Sequence, residues 1–71
     1  MDFVLEKPDG SILGIEVKSG GQVSAQDFKG LKTLSTMARA SFHSGIVLYA
    51  GEEVLPFGHR LWAVPFRVLW Q

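Results

Sequence analysis

Hydrophobic and polar positions alternate over the first 18 residues, on either side of one turn. Two β-prone runs, residues 2–6 and 12–18, flank Pro8-Asp9-Gly10, which is typical of a β-hairpin with a three-residue loop. Pro8 sets φ for the first loop position, and Gly10 can adopt the left-handed conformation that the last position requires. The pattern therefore predicts an N-terminal hairpin.

The loop length also predicts the register of this hairpin. It places Leu5 opposite Leu13 and Phe3 opposite Ile15, and directly opposed residues share one face. One face is then wholly apolar, and we expect it to be core: Phe3, Leu5, Leu13, Ile15 and Val17. The other face gathers acids and a lysine at the end away from the turn: Asp2, Glu16 and Lys18. A shift of one residue would mix the two faces, which argues against it.

Helical periodicity begins after a breaker segment at residues 19–23. Ser24 is predicted to cap the helix, because Asp27 follows three residues later in the capping-box position. Apolar residues then recur at helical spacing: Ala25, Phe28, Leu31, Leu34 and Ala38. The remaining face carries Lys29, Lys32 and Arg39, which could contact a phosphate, although a solvated face is the ordinary interpretation.

Two further strands are predicted in the second half of the chain. The apolar run 45–51 is bounded by glycines and is typical of a strand covered on both faces. Residues 60–64 form the last predicted strand, which Pro65 ends, and residues 66–70 form a terminal turn. The order strand, strand, helix, strand, strand predicts a single α/β domain over residues 1–71, with the helix crossing one apolar sheet face.

Composition and charge limit the function classes. The chain has 71 residues, with 7 basic residues, 7 acidic residues and no cysteine. Zero net charge excludes a globally basic nucleic-acid binder, and the lack of cysteine excludes thiolate zinc sites, iron–sulfur clusters and thiol catalysis. No apolar run approaches the roughly 18 residues of a membrane span, and no signal-peptide pattern begins the chain. We therefore expect a cytoplasmic protein without a membrane partner.

The acid–lysine end of the hairpin is the arrangement with a mechanistic interpretation. Two carboxylates a few ångströms apart, here Asp2 and Glu16, can hold Mg²⁺ or Mn²⁺. A metal held in this way can activate water and neutralise charge on a phosphate, with Lys18 orienting the water or stabilising the transition state. In the ordinary alternative, Glu16 and Lys18 lie on a solvated strand face and pair with each other or with Asp2.

Five segments, in this order, resemble a known family: residues 2–6, 14–18, 27–31, 45–49 and 61–65. They are similar to the C-terminal domain of uncharacterised prokaryotic AAA-type ATPases, within the PD-(D/E)XK restriction-endonuclease-like superfamily. The resemblance implies a small mixed β-sheet, with Asp2 and Glu16 as the motif acids and Lys18 as the motif lysine. It also implies metal-dependent hydrolysis of phosphodiesters in DNA, with Mg²⁺ or Mn²⁺ held by Asp2, Glu16 and the Val17 carbonyl.

The sequence departs from that family in ways that leave a second function open. The family core opens with a helix and a strand that precede the segment matching residues 2–6, and no phosphate-binding loop motif occurs here. We therefore expect a free-standing or truncated copy of a restriction-endonuclease-like core. A sheet without those elements exposes an edge and part of a core face. The alternative function is a non-catalytic, dimerising interaction or relic module, and we expect a homodimer.

The remaining aromatic and imidazole side chains are expected to be structural. An aromatic-rich end, with Trp62, Phe66 and Trp70, could stack on bases, but packing or dimerisation is the favoured interpretation. His43 and His59 lack the spacing of a zinc site and are expected at the surface.

Overall fold

A computed structural model describes residues 2–70 as a five-stranded sheet with one α-helix packed against it. The strands are β1 (Phe3–Glu6), β2 (Ile12–Val17), β3 (Phe42–Tyr49), β4 (Leu55–Gly58) and β5 (Leu61–Pro65). The helix is α1 (Lys29–Ala38), and short 3₁₀ segments cover Ala25–Phe28, Arg39–Ser41 and Phe66–Trp70. The predicted α/β class is confirmed.

The strands are arranged in the order β1-β2-β3-β5-β4. The inner pairs β2–β3 and β3–β5 are parallel, and the outer pairs β1–β2 and β4–β5 are antiparallel. The sheet is therefore mixed, as expected. Helix α1 connects the parallel strands β2 and β3, the connection that needs a crossover rather than a tight turn.

The hairpin has the predicted register. Leu5 pairs with Leu13 and Phe3 pairs with Ile15, and Gly10 adopts φ +88° at the end of the loop. The Asp9 carboxylate accepts hydrogen bonds from the Ser11 amide at 2.9 Å and the Ser11 hydroxyl at 2.7 Å. This side-chain bonding closes the turn locally, and so the register follows from residues that are adjacent in sequence.

One strand was not predicted. The edge strand β4 contains Pro56 and ends at Gly58, and both residue types are depleted in strands. An edge strand tolerates proline because the N–H that proline lacks would have faced solvent. The sequence pattern therefore did not predict β4. It also did not predict that Pro56, which lacks an N–H donor, disfavours pairing of a further strand at this edge of the sheet.

The core lies between α1 and one face of the sheet. Its buried side chains are Phe28, Leu31, Phe42, Val47, Tyr49, Leu61 and Ala63. Phe28 and Leu31 come from the predicted apolar stripe, and Leu34 and Ala38 are half-buried against them. The other stripe residue, Ala25, is exposed.

The opposite sheet face has no layer over it among residues 2–70, and we call it the open face. By register it carries the apolar residues Phe3, Leu5, Leu13, Ile15, Val17, Ile46, Leu48, Trp62 and Val64, together with Ser44 and Pro56. The prediction that the apolar hairpin face is core was wrong, since Phe3 is 55%, Leu5 50% and Val17 45% exposed. The single helix packs instead on the side where β2 and β3 present Gly14 and Gly45, both buried.

The expectation that β3 is covered on both faces was also wrong. Val47 and Tyr49 are buried on the sheet face that α1 covers, whereas Ile46 and Leu48 are half-buried on the open face. Alternation along a strand assigns residues to two faces, but it does not say which face receives the helix.

Candidate functional site

The predicted acid–lysine cluster lies where β2 ends. Asp2 immediately precedes β1, Glu16 is the second-last residue of β2, and Lys18 follows its last residue. Glu16 is half-buried and lies beside Val47 in the sheet. Because Val47 is a core residue, Glu16 belongs to the face that α1 covers, and the i, i+2 spacing directs Lys18 to the same side.

The Asp2 carboxylate binds the main chain of β2. Its Oδ2 atom accepts a hydrogen bond from the Val17 amide at 2.6 Å. The paired residues of β1 and β2 end at Phe3 and Ile15, so this amide lies beyond the strand ladder. Asp2 therefore extends the hairpin by one side-chain hydrogen bond. Its partner, Val17, is also the residue whose carbonyl was predicted to bind the metal, but the bond uses the Val17 N–H.

Lys18 forms an ion pair with the start of the helical segment. Its Nζ lies 2.7 Å from Asp27 Oδ2, and the same oxygen accepts the Ser24 amide at 2.8 Å. The Lys18 ammonium, followed by the Ser24 amide, lowers the pKa of the Asp27 carboxyl. Asp27 thereby joins the end of β2 to the beginning of the helix, in addition to forming the predicted capping box.

Asp27 is the residue that sequence reasoning missed at this site. Its capping role follows from the three-residue spacing after Ser24, but the ion pair with Lys18 depends on where the helix begins in space. A capping carboxylate has more than one lone-pair direction free for a second donor. These free lone pairs of the Asp27 carboxylate were the feature of the sequence that could have indicated a second, basic partner.

The chemistry that these residues support is limited by their number. Among residues 2–70, no three His, Asp or Glu side chains form a group that could hold a metal ion. A divalent cation here would therefore rely on Asp2, Glu16, main-chain carbonyl oxygen and water, a donor set that Mg²⁺ and Mn²⁺ accept. The Lys18 ammonium pairs with Asp27, and its other N–H donors could contact a substrate.

The open face is the second candidate site, and its chemistry is that of an interface. None of its side chains among the described residues is charged, and Trp62 presents an indole ring that is 42% exposed. Trp70, in the 3₁₀ segment Phe66–Trp70, is 77% exposed. Neither indole is therefore buried in the core of the described residues, whereas Phe66 is half-buried. The other favoured interpretation of this aromatic end, dimerisation, stays a prediction.

Both histidines lie at the surface, as predicted. His43 and His59 are exposed, and the His43 ring contacts the neighbouring Ser44 hydroxyl at 2.9 Å. Within residues 2–70, no helix has the length and hydrophobicity needed to cross a bilayer.

Comparison with known proteins places this chain in a family. Residues 1–69 match the family described as "Domain of unknown function (DUF4143)", a domain found in AAA-ATPase-associated proteins. No curated protein and no solved structure matches the chain. Since the match covers nearly the whole sequence, the protein belongs to the DUF4143 family.

Proposed function

We propose that this domain is a self-association module of AAA-ATPase-associated proteins, and that two copies pack through the open face. The observation that carries this proposal is the exposure of Phe3, Leu5, Val17 and Trp62 on one continuous apolar sheet surface. All-parallel sheets are almost always covered on both sides, and the three inner strands of this mixed sheet are parallel. Residues 2–70 supply a cover for only one side.

The size of the open face fits a small interface. The exposed fractions of its side chains correspond to apolar surface on the order of 500 Å² per subunit, or about 1,000 Å² for a pair. That total is near the lower limit for a specific protein–protein contact. We therefore expect a dimer that forms at micromolar concentration.

A second copy suits this face because of its charge. In a two-fold pair the same surface patch of each subunit faces the other, so a patch whose charges all have one sign would repel itself. The described residues of the open face carry no charge, so they create no such repulsion. Two such sheets can pack about 10 Å apart with interdigitating side chains.

The test is the molar mass in solution, measured by size-exclusion chromatography with light scattering. The wild-type chain of 7.8 kDa should have twice its own mass at about 100 µM, a concentration above the micromolar range expected for an interface of this size. Trp62→Glu should give the mass of one chain, because it buries a carboxylate in the interface.

The matched control is Met37→Glu, which adds the same charge at a 75% exposed residue of α1, on the other side of the sheet. It should remain dimeric. A monomeric wild type, or dissociation by both variants, would contradict the proposal and leave the open face to a different occupant.

A second candidate function is metal-dependent hydrolysis of DNA phosphodiesters. The observation that favours it is that Asp2, Glu16 and Lys18 gather at one end of β2. In this mechanism Asp2, Glu16 and the Val17 carbonyl would hold Mg²⁺ or Mn²⁺, and Lys18 would stabilise charge on the phosphate. The resemblance to PD-(D/E)XK nucleases assigns the same roles.

Titration with Mn²⁺ by calorimetry, together with plasmid nicking, tests this second candidate. Wild type should bind Mn²⁺ and nick DNA, and Glu16→Gln should lose both activities. Asp27→Asn is the control, since it removes the Lys18 partner without removing a proposed ligand. Failure to bind Mn²⁺ would refute the nuclease proposal and would leave the dimer proposal unaffected.

A further inference from the structure

A cleft of about 300 Å³ lies at the other end of the sheet from the acid–lysine cluster. It is formed where α1 ends and β3 begins, and its lining residues are Ser35, Arg39, Ala40, Phe42, His59 and Arg60. Two arginines, a histidine and a serine therefore line one concavity. None of these residues carries a carboxylate that would neutralise the arginines.

The backbone of both arginines is unusual. Arg39 has φ 53° and Arg60 has φ 61°, and they are the positive-φ residues other than glycine among residues 2–70. Side chains with a Cβ disfavour this region. Such strain persists where the surrounding structure imposes it, and it clusters at binding sites. Here both strained residues border the same cleft.

The two guanidinium groups differ in how they are held. Arg60 Nη1 donates to the Phe42 carbonyl at 2.8 Å, and the Arg60 carbonyl accepts the Gly45 amide at 2.8 Å. Arg60 is thus fixed at the start of β3, and a guanidinium has further N–H donors for a ligand. The Arg39 guanidinium makes no hydrogen bond or ion pair within the described part of the chain.

We propose that this cleft binds a phosphate group. Arginine matches the paired oxygens of phosphate through parallel N–H donors, and the Ser35 hydroxyl supplies a further donor. The end of α1 contributes about half a negative charge, which the two positive arginines outweigh. A volume of about 300 Å³ is at the lower limit for ligand cavities, so it suits one phosphate group rather than an extended ligand.

The test is a titration of the ¹⁵N-labelled protein with inorganic phosphate, followed by NMR at constant ionic strength. Amide shifts should saturate and should concentrate at residues 35–42 and 59–60. Arg39→Gly should weaken binding at least tenfold while the fold is kept, because glycine accepts the Arg39 backbone conformation. Arg60→Lys, which keeps the charge but loses the paired donors, should also weaken it.

Lys29→Ala is the matched control, since it removes one exposed positive charge from the opposite end of α1. It should bind phosphate as wild type does. Equal weakening by Lys29→Ala, unsaturated shifts, or the same shifts with sodium chloride would overturn the proposal.

A parallel titration distinguishes the source of the phosphate. An affinity for a short single-stranded oligonucleotide at least tenfold above that for inorganic phosphate would identify a nucleic-acid backbone as the ligand. Equal or weaker binding of the oligonucleotide would identify a free phosphate or phosphomonoester.

Discussion

At the scale of single residues, Asp27 connects three parts of the molecule. Its carboxylate accepts the Ser24 amide at the start of the 3₁₀ segment that precedes α1, and it pairs with Lys18 at the end of β2. The Asp27 side chain is 24% exposed, so solvent screens the ion pair and its energy is modest. Its effect on stability should therefore appear mainly as a dependence on pH.

We expect the stabilisation by Asp27 to be lost in acid. The Lys18 ammonium lowers the pKa of the folded-state carboxyl below its usual value of 3.8. A lowered pKa stabilises the fold above the unfolded-state value, and this contribution disappears as pH falls through the folded-state value. Urea unfolding should therefore show that Asp27→Asn is less stable than wild type at pH 6, with a smaller difference at pH 2.5.

The corresponding lysine variants provide the control. Lys18→Met should reduce the pH dependence of wild-type stability, because it removes the main cause of the lowered pKa. Lys32→Met, at an exposed position of α1, should leave that dependence intact. Equal behaviour of the two variants would contradict the assignment of Lys18 as the partner.

At the scale of elements, the position of α1 depends on a close approach at β3. A Cβ added to Gly45 would lie 2.8 Å from Leu61 Cδ2, 3.1 Å from Phe42 Cζ and 3.2 Å from Leu31 Cβ. The glycine therefore lets the helix and the flanking side chains close over the strand. A side chain at this position would prevent the observed packing of the helix on this face.

Gly45→Ala should destabilise the fold by about 1–3 kcal/mol, because overpacking forces the neighbouring side chains to move. Gly20→Ala is the control, since its added Cβ would come no closer than 3.9 Å to Lys18 Cε. Chemical denaturation should show a change within about 0.5 kcal/mol for the control. A Gly45 variant as stable as wild type would show that the helix can shift without cost.

The elements also show what the sequence can predict. The hairpin register was predictable because Pro8, Asp9 and Gly10 fix it locally. Strand β4 was not predictable because Pro56 and Gly58 oppose strand propensity, and only the edge position permits them. The covered face was not predictable either, since periodicity groups residues by face but long-range packing selects the face.

The candidate site shows the same limit. Strand spacing correctly placed Glu16 and Lys18 on one side of the sheet. The partner of Lys18 is Asp27, however, and that contact needs the three-dimensional position of the helix start. The cleft at Arg39 and Arg60 was also not predictable, because these residues are 21 positions apart and meet only in the folded chain.

At the scale of the whole molecule, the sheet has a helix on one side and an apolar surface on the other. Small domains bury a limited fraction of their surface, and here the apolar residues of one sheet face remain partly exposed. Covering this face by a second copy would add buried apolar area to a thin core. Folding stability and association should then be coupled.

We therefore expect the melting temperature to rise with protein concentration. If unfolding and dissociation occur together, each tenfold increase in concentration should raise Tm by about 5 °C for a dimer of 71-residue chains. Calorimetry between 10 and 300 µM measures this. Trp62→Glu should melt at one temperature throughout, and a concentration-independent wild type would argue against the coupling.

The proline of β4 has a consequence for how large an assembly can become. Pro56 interrupts the row of main-chain donors along that border of the sheet, so an incoming strand finds an incomplete set of partners there. A fibril grows continuously only if both edge strands of every molecule can pair with a further strand, and the edge strands here are β4 and β1. The polymer would therefore be terminated at the β4 side, which protects a domain with so much apolar surface from amyloid-like aggregation.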